Sequence, residues 1–117
     1  MNPDELKYRT KQLALKVIRS LEKLPKTQTA EMISRQLIRS ATSVGANYRA
    51  ACCGKSRADF IAKMGIVQEE ADESLYWLEI LYDLQLLEKQ VFSELFTETE
   101  ALLKITVSSI KMAKSHG

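Results

Sequence analysis

The distribution of proline is the feature that most restricts how this chain can fold. Its 117 residues include two prolines, Pro3 and Pro25, so everything after residue 25 can form helix without losing a backbone N–H donor. Only four glycines are present. A protein built mainly of β-strands would need more turn-forming residues than this. The chain is therefore predicted to be all-α.

Four segments have apolar residues at helical spacing. Short connections between long amphipathic helices indicate an antiparallel up-down-up-down four-helix bundle. One such domain is expected over residues 1–117, because a second domain would leave both with very small cores. The helices are predicted at about residues 3–24, 30–53, 57–85 and 88–114.

Residues typical of helix ends mark several of these boundaries. Asn2 is a suitable N-cap for the first helix. Pro25 is expected to end that helix, because the residue before a proline is pushed out of the α region. Ser56, followed three residues later by Asp59, is similar to a capping box at the start of the third helix.

Two features bear on how the helices pack. The third helix carries a second apolar row more than 90° from its main stripe, which is typical of a central helix or of a subunit contact. This candidate oligomer interface consists of Ile66, Trp77, Ile80 and Leu84. Small residues in the middle of the second helix would let a neighbouring backbone approach closely: Ser40, Ala41, Ser43, Gly45 and Ala46.

No complete metal-binding or nucleophilic motif is found in the sequence. A di-iron bundle needs Glu-x-x-His motifs on two helices, whereas the only histidine is His116. Cys52 and Cys53 are adjacent and poorly placed to bridge each other, and there is no second pair of cysteines for a metal site. No catalytic residue, cofactor or metal is therefore expected, and the chain is predicted not to be an enzyme.

One acidic pattern supports an enzymatic alternative. Glu69, Glu70 and Glu73 resemble the first half of the magnesium-binding motif of all-α nucleotide pyrophosphohydrolases. The second half, Glu-x-x-Asp, has no counterpart at a suitable distance. A magnesium-dependent pyrophosphohydrolase is retained only as an alternative, because acidic runs on helices are usually solvated faces or partners of nearby arginines.

A row of basic residues is the best candidate for a binding feature. Arg35, Arg39 and Arg49 fall within an arc of about 80° on the second helix, opposite its apolar stripe. Lys55 and Arg57 continue the row. Contact with phosphates of RNA or DNA is one interpretation. Pairing with acidic residues of a neighbouring helix or subunit is the other.

Targeting signals are not recognisable. No apolar run approaches the roughly 18 residues needed to span a bilayer, and the N-terminus does not have the pattern of a signal peptide. A cytoplasmic location without a membrane partner follows by default. The net charge of +2 is too small to identify a nucleic-acid partner on its own.

The second and third helices carry a family resemblance. Residues 35–47 read Arg-Gln-Leu-Ile-Arg-Ser-Ala-Thr-Ser-Val-Gly-Ala-Asn, and the pattern continues through residues 55–61 and 69–79. These segments resemble the signature of the four-helix-bundle proteins encoded in intervening sequences of bacterial large-subunit rRNA genes, the S23-like family. The resemblance covers roughly residues 5–112.

The resemblance implies a bundle that assembles as a ring-like homopentamer, with no established enzymatic activity and, for most members, no assigned role. A related branch, the accessory protein of diversity-generating retroelements, is similar in fold and binds nucleic acid and a reverse transcriptase through basic surfaces. Residues 44–51 depart from the pattern, because many members carry Ile-Pro-Ala-Asn followed by Ile-Ala-Glu-Gly there. Any role of that Glu-Gly pair in other members is therefore not expected in this chain.

Residues and resemblance together predict a non-enzymatic, oligomeric bundle that binds RNA or DNA through its basic helix face. A protein-interaction scaffold, in which the arginines are structural and the partner is another protein, is the main alternative.

Overall fold

The computed structural model describes residues 1–116, which form four α-helices and no strand. Each helix packs against the next one along the chain, α4 closes on α1, and no diagonal pair is in contact within this part of the chain. This arrangement confirms the predicted all-α, up-down-up-down bundle. Gly117, the last residue of the predicted domain, lies outside the described residues. The helices are α1 (Pro3–Leu21), α2 (Gln28–Cys52), α3 (Arg57–Asp83) and α4 (Lys89–Ser115).

The bundle is a rod of 48 × 22 × 21 Å with a continuous apolar core along its axis. Every helix contributes at least one fully buried large side chain, because each has apolar residues at helical spacing on its inner face. Examples are Leu13 of α1, Leu37 of α2, Leu78 of α3 and Leu102 of α4. Within residues 1–116, no helix is both long and apolar enough to cross a membrane.

Side-chain caps begin the first three helices. Asn2 Oδ1 accepts the backbone N–H of Glu5 at 2.9 Å, as predicted, and Thr27 caps α2. Ser56 Oγ accepts the N–H of Asp59 at 3.0 Å, but the carboxylate of Asp59 accepts the N–H of Lys55 rather than that of Ser56. The expected capping box is thus present with its reciprocal bond displaced by one residue.

The first helix ends at Leu21, three residues before the predicted Leu24. The carbonyl of Leu21 would accept the N–H of residue 25 if the helix continued, and Pro25 has none. The N–H of Leu24 bonds to that carbonyl instead, at 3.1 Å, which tightens the chain into a turn. The effect of the proline therefore begins one turn earlier than the sequence suggested.

The third helix ends at Asp83, two residues before the predicted end, in a Schellman motif. The N–H of Gln85 bonds to the carbonyl of Tyr82, and the N–H of Leu86 bonds to that of Leu81, both at 2.9 Å. Gln85 has a φ of 62°, in the left-handed region where glycine is usual. The remaining helix boundaries lie within two residues of the predicted ones.

Small residues bring α2 close to both of its neighbours. Ser40 of α2 and Ser74 of α3 are both buried, and their hydroxyl oxygens lie 2.8 Å apart in a hydrogen bond. On the other side of α2, a Cβ atom at Gly45 would lie 3.1 Å from Thr10 Oγ1 of α1. These contacts confirm that the small residues of α2 permit close helix approach.

Candidate nucleic-acid interface

The five predicted basic residues are all exposed, but they do not form one compact cluster. Arg35 and Arg49 are 14 positions apart on α2, which corresponds to about 21 Å along the helix axis. Lys55 lies in the connection between α2 and α3, and Arg57 is the first residue of α3. The basic residues therefore follow the outer side of α2 and continue to one end of the bundle.

Arg39 differs from the other four because it is held by α3. Its Nη1 donates to Glu70 Oε2 at 3.0 Å, and its Nη2 donates to Glu73 Oε2. These contacts raise the pKa of the Arg39 guanidinium, mainly through the hydrogen bond to Glu73. Arg39 is therefore paired with acidic residues of a neighbouring helix, which is the second of the two interpretations of the basic row.

Trp77 of α3 binds the same carboxylate of Glu73 that Arg39 of α2 binds. Its indole Nε1 donates to Glu73 Oε2 at 3.0 Å, so the carboxylate of Glu73 receives hydrogen bonds from two elements. The Trp77 hydrogen bond, followed by the contacts with Arg39, holds the pKa of Glu73 below its ordinary value. The arrangement is a hydrogen-bonded unit of Arg39, Glu70, Glu73 and Trp77.

The acidic half-motif belongs largely to the same unit. Glu70 and Glu73 are engaged by Arg39, whereas Glu69 is exposed. Over residues 1–116, the structure contains no group of three or more His, Cys, Asp or Glu side chains that could hold a metal ion. Cys52 and Cys53 are exposed free thiols.

The second apolar row of α3 is partly open to solvent. The side chains of Ile66 and Leu84 are 42% and 50% exposed, whereas Trp77 and Ile80 are half-buried. Tyr76, which the sequence analysis did not include, is 56% exposed and lies one turn before Ile80. Its i, i+4 relation to Ile80 was a sufficient signal to include it.

Other charged residues acquire a role only from tertiary packing. Arg9 of α1 forms a bidentate ion pair with Glu98 of α4, with contacts of 2.9 and 2.5 Å. Lys7 and Lys11 of α1 lie beside Arg49 at the crossing of α1 and α2. These two lysines were not predicted as part of a site, because their only signal in the sequence is their i, i+4 spacing on the side of α1 that also carries Ala14.

Two comparisons with known proteins agree with this fold. The family model of the 23S rRNA-intervening sequence protein matches residues 5–108. A protein of unknown function from the S23 ribosomal protein family of Bacteroides thetaiotaomicron has a solved structure that is similar to this one. It has a TM-score of 0.87 and 32% sequence identity, over 95% of this chain and 99% of the other. A comparison with curated proteins finds no match. The chain therefore belongs to the 23S rRNA-intervening sequence protein family.

Proposed function

We propose that this chain is a non-enzymatic, oligomeric bundle that binds RNA or DNA through a basic face consisting of Arg35, Arg49, Lys55 and Arg57. One observation carries this proposal. All four side chains are exposed, and none of them forms an ion pair with another described residue, in contrast to Arg39. Free guanidinium and ammonium groups are the donors that bind phosphate oxygens.

Oligomerisation would strengthen such binding. One chain carries a net charge of only +2, whereas five copies of it would carry about +10. If the copies are related by a rotation that closes a ring, each basic face is repeated around it. The field of the ring would then attract a polyanion much more strongly than one chain does.

The outer face of α3 supports contact with a second copy of this chain. It exposes Ile66, Tyr76 and Leu84, and apolar side chains at one surface are a common feature of subunit contacts. The exposed carboxylates of Glu69 and Glu79 belong to the same helix and would complement a basic surface of the neighbouring copy. We therefore propose a homo-oligomer, with a pentamer as the expected assembly.

A charge-reversal experiment tests the basic face. The variant Arg35→Glu, Arg49→Glu, Arg57→Glu is titrated into labelled duplex RNA and duplex DNA over a series of salt concentrations. The slope of log affinity against log salt is negative, and each lost phosphate contact should make it less steep by about 0.9. The matched control is Lys16→Glu, Lys104→Glu, Lys111→Glu, which reverses three other exposed charges. Equal binding by parent, variant and control would contradict the basic face.

The contact made by Arg39 favours a second candidate function, a protein-interaction scaffold with structural arginines. In that case Arg39→Ala should lower the melting temperature or change the mass of the assembly, since it releases Glu70 and Glu73. Arg35→Ala is the control, because Arg35 is exposed and has no ion pair within residues 1–116. An unchanged melting temperature and mass for Arg39→Ala would count against this candidate.

A further inference from the structure

An open groove of about 230 Å³ follows the crossing of α1 and α2. Small residues from both helices line it, namely Ala14 of α1 and Gly45 and Ala46 of α2. The helices are close at this point, because a Cβ atom at Gly45 would approach Thr10 Oγ1 to 3.1 Å. Because these side chains are short, the surface between the longer side chains of α1 and α2 is concave.

Three cations border this groove. Lys7 and Lys11 come from α1 and are about 6 Å apart along the helix axis, and Arg49 comes from α2. The groove lining contains no carboxylate, and none of the three cations forms an ion pair with another residue of the range 1–116. The acidic residues of α1 are Asp4 and Glu5, in its first turn before Lys7, and neither of them lines the groove.

Two other grooves that contain a basic side chain differ from this one in charge. The groove between α1 and α4 contains Lys16 but also Glu94 and Glu98. The groove beside the α1–α2 connection contains Arg35 together with Glu22 and Glu31. Both of these grooves are therefore lined by carboxylates as well as cations. At the α1–α2 crossing the three cations repel one another, and a bound anion would relieve that repulsion.

We infer that the α1–α2 groove binds the phosphodiester backbone of a nucleic acid, with Lys7 and Lys11 on one side and Arg49 on the other contacting its phosphates. This inference rests on the proposed function and extends the basic face from α2 to α1 through Arg49. The two lysines are close enough to engage nearby phosphates of one strand. Such contacts position the strand on the bundle and carry no sequence information.

Two variants test the groove in the full-length protein. Lys7→Gln, Lys11→Gln removes the cations of α1, and Ala46→Glu places a carboxylate in the groove at an exposed position. The matched controls are Lys16→Gln, Lys23→Gln and Gln68→Glu, which make the same changes of charge at exposed positions elsewhere. Binding to labelled duplex RNA and to duplex DNA of the same sequence is measured by fluorescence anisotropy at several salt concentrations. Melting temperatures show that each variant is folded.

The double lysine variant is expected to make the negative salt slope less steep by about 0.9 for each lost contact. Each lost contact should also weaken affinity by roughly tenfold at about 0.1 M salt. Ala46→Glu should also weaken binding, while both controls should bind like the parent. Binding to RNA alone or to both duplexes supports the groove equally, since both ligands present phosphodiesters.

Two results would overturn the inference and are distinguishable. If the parent binds both duplexes and the groove variants bind as well as their controls, the groove is wrong while the proposed function stands. If the parent binds neither duplex at low salt, the proposed function fails and the groove fails with it. Parallel titration with phosphatidylserine vesicles separates a lipid surface. Groove variants that lose vesicle binding and keep nucleic-acid binding would also overturn the inference.

Discussion

Among residues 1–116, Gln85 is the one non-glycine residue with a positive φ. It occupies the left-handed position that ends α3, with a φ of 62°. A residue with a Cβ atom is disfavoured there by about 1–2 kcal/mol relative to its usual conformations, whereas glycine is not. The chain therefore ends α3 in a left-handed turn without the glycine that normally marks one, and the boundary was not recognisable in the sequence.

Gln85→Gly is accordingly expected to raise the free energy of unfolding by about 0.5–1 kcal/mol, because it removes the left-handed strain. Chemical denaturation measures this change. The same substitution at Gln68, which is exposed in the middle of α3, is the control and should destabilise by about 1 kcal/mol. A loss of stability in Gln85→Gly comparable to that of the control would contradict the account of this turn.

The contribution of Glu73 to the stability of the fold is expected to depend on pH. Because its pKa is lower in the folded protein than in the unfolded chain, its charge stabilises the fold fully above the ordinary glutamate pKa of about 4.3. That contribution should be lost as the pH falls through the folded-state pKa. Glu73→Gln removes the charge and keeps an oxygen that can accept from Trp77.

The difference in unfolding free energy between parent and Glu73→Gln should therefore be largest near neutral pH and shrink as the solution is acidified below about pH 4.3. Denaturation curves at several pH values measure it. The control is Glu69→Gln, since Glu69 is exposed and has no ion pair in the described chain. A difference that grows on acidification would contradict the sign of the shift.

At the scale of the helices, replacing glycine by alanine should affect stability differently at a close helix contact and at an open position. Both Gly45 and Gly65 are inside helices, where alanine is favoured over glycine by roughly 1 kcal/mol. A Cβ atom at Gly45 would press on Thr10 of α1, whereas a Cβ atom at Gly65 would meet nothing within 4 Å.

Gly65→Ala is thus expected to raise the free energy of unfolding by about 0.5–1 kcal/mol. Gly45→Ala should stabilise less or destabilise, because Thr10 must move by a few tenths of an ångström to admit the methyl group. Thermal and chemical denaturation of the pair measures the contrast. Equal stabilisation by both substitutions would show that α1 and α2 are not in tight contact at this crossing.

How far the sequence predicted these elements depends on how local each signal is. The fold was predicted from signals that are local to one helix. These are the helical spacing of apolar residues, the caps Asn2 and Ser56, and the small residues of α2. The ion pair of Arg39 depends on the register between α2 and α3, which no spacing within one helix defines. For the same reason, the sequence could not show that Lys7 and Lys11 lie near Arg49, because this proximity depends on how α1 packs on α2.

At the scale of the whole molecule, two surfaces of the bundle differ in their chemistry. The outer side of α2 carries unpaired cations, and the outer side of α3 exposes apolar side chains beside carboxylates. The two helices are held together by buried serines and by the contacts of Arg39. A ring of copies would cover the α3 face and leave the cations of α2 and α1 available for a polyanion.

Light scattering with and without duplex RNA, at low and at high salt, tests this account most directly. The expected species has about five times the 13.3 kDa of one chain, gains mass with RNA at low salt and loses that gain at high salt. A species of 13.3 kDa whose mass does not change with RNA at either salt concentration would contradict both the assembly and the nucleic-acid interface.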